Sequence, residues 1–298
     1  GDTIAHVGPV DTDTVRAAQT VDATGLHVTP GFIDAHAHGD PTETPRFRNF
    51  LAMGVTTIVL GQDGGGPEAN ALTNHLTAVE EARPFVNVGY LIGHNTLRHE
   101  ADIGYDTPTS EERRALAGLV KTGLDAGALG LSTGLEYDPG TQANMPELVA
   151  IAEPVAAHDA IVMSHLRSED AGDIEASIAE LIEQGRRSGA HVHASHLKVV
   201  LSDDPARADS VLAQMETARQ AGVPVTADVY PYTASFTGID ILFPEWARPP
   251  NDYEAVLENR EDELRTELTN RINQRNGPEA TLFGTGKWTG HTLAEGAD

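Results

Sequence analysis

Seven short apolar runs, separated by polar stretches of loop or helix, constrain this chain more than any other feature of its sequence. They are Val28–His36, Val55–Gly61, Phe85–Ile92, Ala128–Ser132, Ala160–His165, His191–His196 and Val223–Tyr230. Helix-compatible segments such as Ser110–Ala126, Asp173–Ser188 and Pro205–Ala221 lie between them. Strands that alternate with helices pair in parallel, because each helix carries the chain back across the sheet. Seven such strands between residues 28 and 230 predict an α/β (β/α)8 TIM-like barrel rather than an open doubly wound sheet. No Gly-x-Gly-x-x-Gly follows the first run, which weakens a dinucleotide-binding reading. An eighth strand is not evident, since Ala280–Gly284 is short; the barrel is expected to be incomplete within residues 30–298. The charged, helical stretch 251–275 places an insertion or lid at about 245–298. Ahead of the first run, Thr3–Val7 and Thr20–Asp22 read as strands around turns at Gly8-Pro9 and Gly25, so residues 1–29 form a separate small β element.

Charge narrows the partners. Asp and Glu total 45 against 20 Lys and Arg, giving a net charge of -25, and the only lysines are Lys121, Lys198 and Lys287. No basic face exists to neutralise phosphates, which argues against nucleic acid or an anionic membrane. No stretch approaches the roughly 20 apolar residues of a membrane span. No signal peptide is visible, and the simplest home is cytoplasmic. An acidic surface poor in lysine suggests a salt-adapted, halophile-like protein, whose self-repulsion high salt would screen. The chain has no cysteine, so disulfides and thiolate metal ligands are excluded.

Histidines carry the chemistry. In Gly31-Phe-Ile-Asp-Ala-His-Ala-His38, strand alternation sends His36 and His38 the same way, at the mouth end of the first strand. His165 closes the fifth run and His196 the sixth. One strand-end histidine is ordinary; four at matching ends point to a shared metal site. By alternation, His191 and His193 face the surrounding helices and are structural. Asp63, in Gly61-Gln-Asp-Gly64, is either a turn residue or a carboxylate that offsets the charge of two ions held by four imidazoles.

These residues resemble the amidohydrolase superfamily, and within it the N-acyl-D-amino-acid deacylases. The resemblance rests on Pro30–His38, Gly54-Val-Thr-Thr57, Gly93-His-Asn-Thr-Leu-Arg98, Gly127–Tyr137, Ser195-His-Leu-Lys198 and Asp228-Val-Tyr-Pro-Tyr-Thr233. The Ser-Thr-Gly-Leu-Glu-Tyr and Ser-His-Leu-Lys runs are the more particular markers. The resemblance implies a distorted barrel with a small β-sandwich built from both chain ends. It implies one or two Zn2+ ions, with His36 and His38 on one, His165 and His196 on the other, and Asp63 between them. Many family members carry cysteine where Asp63 stands, a softer ligand, so another divalent metal remains open. It further implies that Tyr137, Lys198, Tyr230 and Ser235 hold the carboxylate of a small-molecule N-acyl amino acid.

The implied reaction is amide hydrolysis, giving a carboxylate and a free D-amino acid. The aspartate that moves the proton in this family follows the eighth strand and is expected beyond residue 298. The segment Gly290–Asp298 resembles part of the family's insertion, so this chain alone is expected to be inactive without a missing C-terminal segment. Two alternatives stand beside this reading. One is another amidohydrolase, dihydroorotase-like or isoaspartyl-dipeptidase-like; the other is a truncated, non-catalytic remnant that binds metal.

Overall fold

In a computed structural model of the chain, residues 3–11 and 16–296 are described. The chain divides into a short unit, Gly1–Gly31, and a main body, Phe32–Asp298. Within the short unit, the described residues form turns and extended chain but no regular strand, so the strands expected at Thr3–Val7 and Thr20–Asp22 are not present as such. A strand exists by its ladder of hydrogen bonds, and the described residues of this unit form none.

The main body holds seven parallel strands in the order β1-β2-β3-β4-β5-β6-β7. They are β1 Phe32–Asp34, β2 Val55–Leu60, β3 Asn87–Gly93, β4 Gly130–Gly134, β5 Ile161–His165, β6 His191–Ala194 and β7 Val225–Ala227. The helices are α1 Arg48–Ala52, α2 Leu72–Ala82, α3 His94–Glu100, α4 Ser110–Asp125 and α5 Met145–Ala157. They continue as α6 Ile174–Ser188, α7 Ala206–Gln220, α8 Tyr253–Gln274 and α9 Leu293–Gly296. Every one of the seven runs overlaps a strand, with β3 ending one residue and β4 two residues past the expected run, and each crossover is the one that alternating β and α predicts. Among the described residues, no strand forms at Ala280–Gly284; Leu282 makes a single antiparallel bridge with Thr292.

The sheet curls. Val59 of β2 packs with Leu91 of β3 and Met163 of β5, although β2 and β5 are not neighbours in the sheet. The rings of His36 and His196, just beyond β1 and β6, lie 4.9 Å apart. A seven-stranded sheet curled towards a barrel brings such distant strands together, which matches the expected incomplete barrel. The outer layer is a larger apolar cluster between strands and helices, including Leu116, Val120, Leu148, Ile151, Ile178 and Val192. Among the described residues, no helix is long and apolar enough to cross a membrane.

Local sequence explains the helix starts. Thr109 accepts from the Glu112 amide while the Glu112 carboxylate accepts from the Thr109 amide, a reciprocal cap for α4. Asn144 caps α5 through the Glu147 amide at 3.2 Å. Most of the stretch 251–275 is helical as expected, with a kink at Arg260, and α8 packs on the turns Ile239–Leu242 and Glu245–Ala247 beside the barrel mouth. Val256 and Leu264 form a satellite core there with Ala247.

Candidate active site

Six of the seven strands deliver a titratable side chain at their C-terminal ends. These are His36 after β1, Asp63 after β2, Glu136 after β4, His165 at the end of β5, His196 after β6 and Asp228 after β7. They line one cavity of about 690 Å³. That is the face at which parallel barrels place their chemistry.

Asp63 stands at the centre. Its Oδ2 lies 3.5 Å from His36 Nε2 and 3.1 Å from His38 Nε2; its Oδ1 lies 3.4 Å from His196 Nε2 and 3.7 Å from His165 Nδ1. Each carboxylate oxygen therefore faces one pair of imidazoles. Glycine makes this position reachable. Gly61 has φ 78°, and a Cβ there would meet Leu91 O at 2.2 Å; a Cβ on Gly134 would meet Asp63 O at 2.1 Å. The loop after β2 can thus lie directly against β3 and β4.

Each of the three enclosed histidines also has a carboxylate on its far side. His36 Nδ1 is 3.5 Å from Asp228 Oδ2, His165 Nε2 is 2.9 Å from Glu136 Oε2, and His196 Nδ1 is 3.0 Å from Glu169 Oε1. An acceptor of this kind fixes the ring and turns the other nitrogen inward. His38 lacks one and is the outlier: it touches Asp63, but its side chain is 67 % exposed.

The charges respond accordingly. Burial alone would lower the pKa of His36, but Asp228 and Asp63 push it up to about 9. Burial likewise opposes His165, yet Asp63 and Glu136 push it up to about 9. Burial favours a neutral Asp63, but the surrounding histidines hold its carboxyl far below the usual range. Asp228 is held low in the same way, against burial, by His193 and His36.

The cluster also fits a cation. Both ring nitrogens of His36, Asp63 Oδ1 and Glu169 Oε1 are buried with no hydrogen-bond partner of good geometry. Buried donors and acceptors are ordinarily satisfied, and two of these, His36 Nε2 and Asp63 Oδ1, face the centre of the cluster, where a further ligand would satisfy them. Ligand atoms of His36, Asp63 and His196 lie within 4.8 Å of one another, as do those of His165, Glu169 and His196. Imidazole and carboxylate together suit zinc or a similar divalent ion.

The remaining expected residues line the same cavity. The Tyr137 ring sits 4.4 Å from that of His165, with its hydroxyl 2.8 Å from Thr237 Oγ1. Burial, with smaller contributions from nearby carboxylates, pushes its phenol pKa up despite that hydrogen bond. Lys198 Nζ pairs with Glu169 and lies 5.7 Å from the Tyr230 ring centre. Ser235 is at the exposed rim. Arg275, just past α8, also lines the cavity and bonds Asp170 at 3.2 Å.

Two features differ from the sequence expectation. His193 does not face the helices. Val192 packs towards Gly185 of α6, so His191 and His193 point inward, and His193 Nε2 meets Asp228 Oδ2 at 2.8 Å. The error lies in carrying alternation as far as His196: β6 ends at Ala194, and His196 has φ 38°, a left-handed turn that resets the direction. The carboxylates Glu136, Glu169 and Asp228 were not anticipated as partners of the histidines. For Glu169, its place four residues after His165 in His165-Leu-Arg-Ser-Glu169 was the available signal.

With this geometry in hand, relatives can be weighed. The chain is 37% identical over 277 residues to an N-acyl-D-glutamate deacylase of Alcaligenes xylosoxydans xylosoxydans, covering 85% of this chain and 55% of the relative. A D-aminoacylase of the same organism is 32% identical over 267 residues, covering 80% and 53%. The crystal structure of an N-acyl-D-glutamate deacylase from Bordetella bronchiseptica, complexed with zinc and a phosphonate inhibitor, superposes with a TM-score of 0.64 at 34% identity. That match covers 68% of this chain and 48% of the other. This chain belongs to the N-acyl-D-amino-acid deacylase family of amidohydrolases. It spans about half the length of the curated deacylases it matches. A scan against protein-family models matches none.

Proposed function

We propose that this chain binds one or two divalent ions, zinc first, and serves the hydrolysis of N-acyl-D-amino acids to a carboxylate and a free D-amino acid. The observation that carries this reading is Asp63 set between two pairs of imidazoles, with Lys198 in the same cavity. His36 and His38 would hold one ion, His165 and His196 the other, with Asp63 shared. A divalent ion supplies Lewis acidity there, polarising an acyl carbonyl and making water acidic near neutral pH.

The chain's own residues do the rest. Lys198 supplies a cation for the substrate's α-carboxylate, and the Tyr137 and Tyr230 hydroxyls can donate to it, with Ser235 at the rim. Burial keeps the Tyr137 phenol protonated, so it remains a donor across the working pH range. Asp63, Glu136, Glu169 and Asp228 are engaged with histidines, Asp34 accepts from the His36 amide, and Asp170 holds Arg275. Each of the six already has a partner, which supports giving the shuttle of a proton from water to the leaving nitrogen to another residue. An aspartate on a further strand would take that role, and turnover is expected only where such a strand is present. Residues 1–29 are proposed to join a small β-sandwich once partner strands are available.

The test is a zinc-reconstituted assay on N-acetyl derivatives of D-glutamate, D-leucine and their L-enantiomers. Hydrolysis of the D-forms is expected when an eighth strand bearing an aspartate is supplied, and little or none otherwise. Preferential cleavage of dihydroorotate or β-aspartyl dipeptides would move the assignment to the alternative amidohydrolases.

We further propose a cytoplasmic, salt-adapted protein, the salt adaptation on its acidic, lysine-poor composition. With a net charge of -25, screening should reduce self-repulsion as salt rises. The melting temperature is therefore expected to climb from low to high potassium chloride. A flat profile would remove the salt-adapted reading and leave an acidic protein of ordinary habit.

A further inference from the structure

Glu169 occupies a position that neither the metal ligands nor the carboxylate-binding residues account for by themselves. It follows β5 by four residues, and only 6 % of its surface is exposed. Burying a carboxylate is costly unless its oxygens are matched. Here the two oxygens face different parts of the site. Oε2 pairs with Lys198 Nζ, while Oε1 stands 3.0 Å from His196 Nδ1. Lys198 Nζ is itself 3.2 Å from the same Nδ1. The backbone ties the segment down: the Val200 amide donates to Glu169 O at 2.8 Å and the Ala171 amide to Val200 O at 2.8 Å, joining the loops after β5 and β6.

The imidazole tautomer decides which neighbour His196 meets. With Nε2 turned towards Asp63 as a ligand, the ring's proton sits on Nδ1, and an N–H cannot accept from an ammonium. Nδ1 then donates to Glu169 Oε1, and Lys198 is held by Oε2, with the His196 carbonyl oxygen 3.4 Å away as a second acceptor. One buried carboxylate thus orients both a ligand of the metal and the cation meant for the substrate.

We propose that Glu169 is a positioning residue that couples the metal half of the site to the carboxylate-binding half, holding His196 by one oxygen and Lys198 by the other. This rests on the metal and substrate roles proposed above for His196 and Lys198. It gives the site a defined order of dependence: loss of Glu169 affects both halves, whereas loss of Lys198 affects one. Without Lys198, Glu169 Oε1 can still accept from His196.

The experiment measures zinc affinity by chelator competition, and the affinity of the zinc-loaded protein for D-glutamate. D-Glutamate carries the α-carboxylate and cannot be hydrolysed. Glu169→Gln is expected to lower zinc affinity about 10–100-fold, the usual cost of losing an outer partner of a ligating histidine. It should also weaken D-glutamate binding about 10-fold, since Lys198 loses its charge-assisted anchor. Lys198→Met is expected to weaken D-glutamate binding while leaving zinc affinity unchanged or higher. Wild-type affinities for both probes in a folded Glu169→Gln protein would overturn the coupling and leave the site assignment intact. Should Glu169→Gln fail to fold, Lys198→Met still decides: a 10-fold loss of zinc affinity there overturns the proposed order of dependence. Wild-type protein that binds no zinc would remove the metal reading itself, and the coupling with it.

Discussion

Replacing Glu147 with alanine is expected to destabilise the fold by about 3–5 kcal/mol, the range for breaking one partner out of a buried ion pair. Arg98, Glu147 and His94 are all 0 % exposed. Arg98 Nη1 donates to both Glu147 oxygens, at 2.5 and 2.7 Å, and its remaining nitrogens donate to Gly104 O and Asp106 O. His94 Nε2 lies 2.8 Å from Glu147 Oε1. Removing the carboxylate leaves a buried guanidinium facing only neutral carbonyls, with a cavity where the side chain had been. Glu147→Gln, which keeps the volume and some hydrogen bonds, should cost less. Urea unfolding of the three proteins measures this, and an alanine variant within 1 kcal/mol of the wild type, well under that range, would sink the argument.

The same group has a pH signature. Burial works to raise the Glu147 pKa, but the His94 hydrogen bond and the Arg98 charge hold it below its ordinary value. A carboxyl lowered in the folded state stabilises it above the unfolded pKa, and that contribution is lost as pH falls through the folded value. The wild type should therefore lose stability more steeply than Glu147→Gln on acidification. Other carboxylates share the acid limb, so the difference between the two curves, not either curve alone, reports Glu147.

This triad also shows where the sequence was readable and where it was not. Period and punctuation give all seven strands and the helices Ser110–Asp125, Ile174–Ser188 and Ala206–Gln220 to within a few residues, because the apolar runs of β4, β5 and β6 are buried along nearly their whole length. His36, Asp63, His165 and His196 were legible because strand ends converge in a barrel. Gly93-His-Asn-Thr-Leu-Arg98 was visible as a marker, but its partner Glu147 lies 49 residues beyond Arg98. Nothing local in Met145-Pro-Glu147 announces that pairing. Glu136, Glu169 and Asp228 were hidden for a related reason: a carboxylate near a strand end looks like any rim residue until the histidine opposite it is placed. The inward face of His193 was lost to a single left-handed residue, His196, whose φ no periodicity predicts.

Asp63→Asn should abolish tight metal binding, and it is the cleanest single test of the centre. Asp63 has φ 56°, in the left-handed region where asparagine is tolerated and alanine is strained. The asparagine variant therefore keeps the turn and removes only the charge. That charge offsets whatever cations four imidazoles gather in a largely enclosed site, where repulsion is poorly screened. The loss of zinc affinity should exceed the about 10–100-fold expected for an outer partner, and the bound zinc per chain should fall. Asp63→Cys restores an anion of softer character, so it is expected to recover binding and shift preference from harder to softer ions. Equal zinc binding by wild type and Asp63→Asn would return Asp63 to the role of a turn residue. The four histidines would then be left as a rim cluster without a bridging carboxylate.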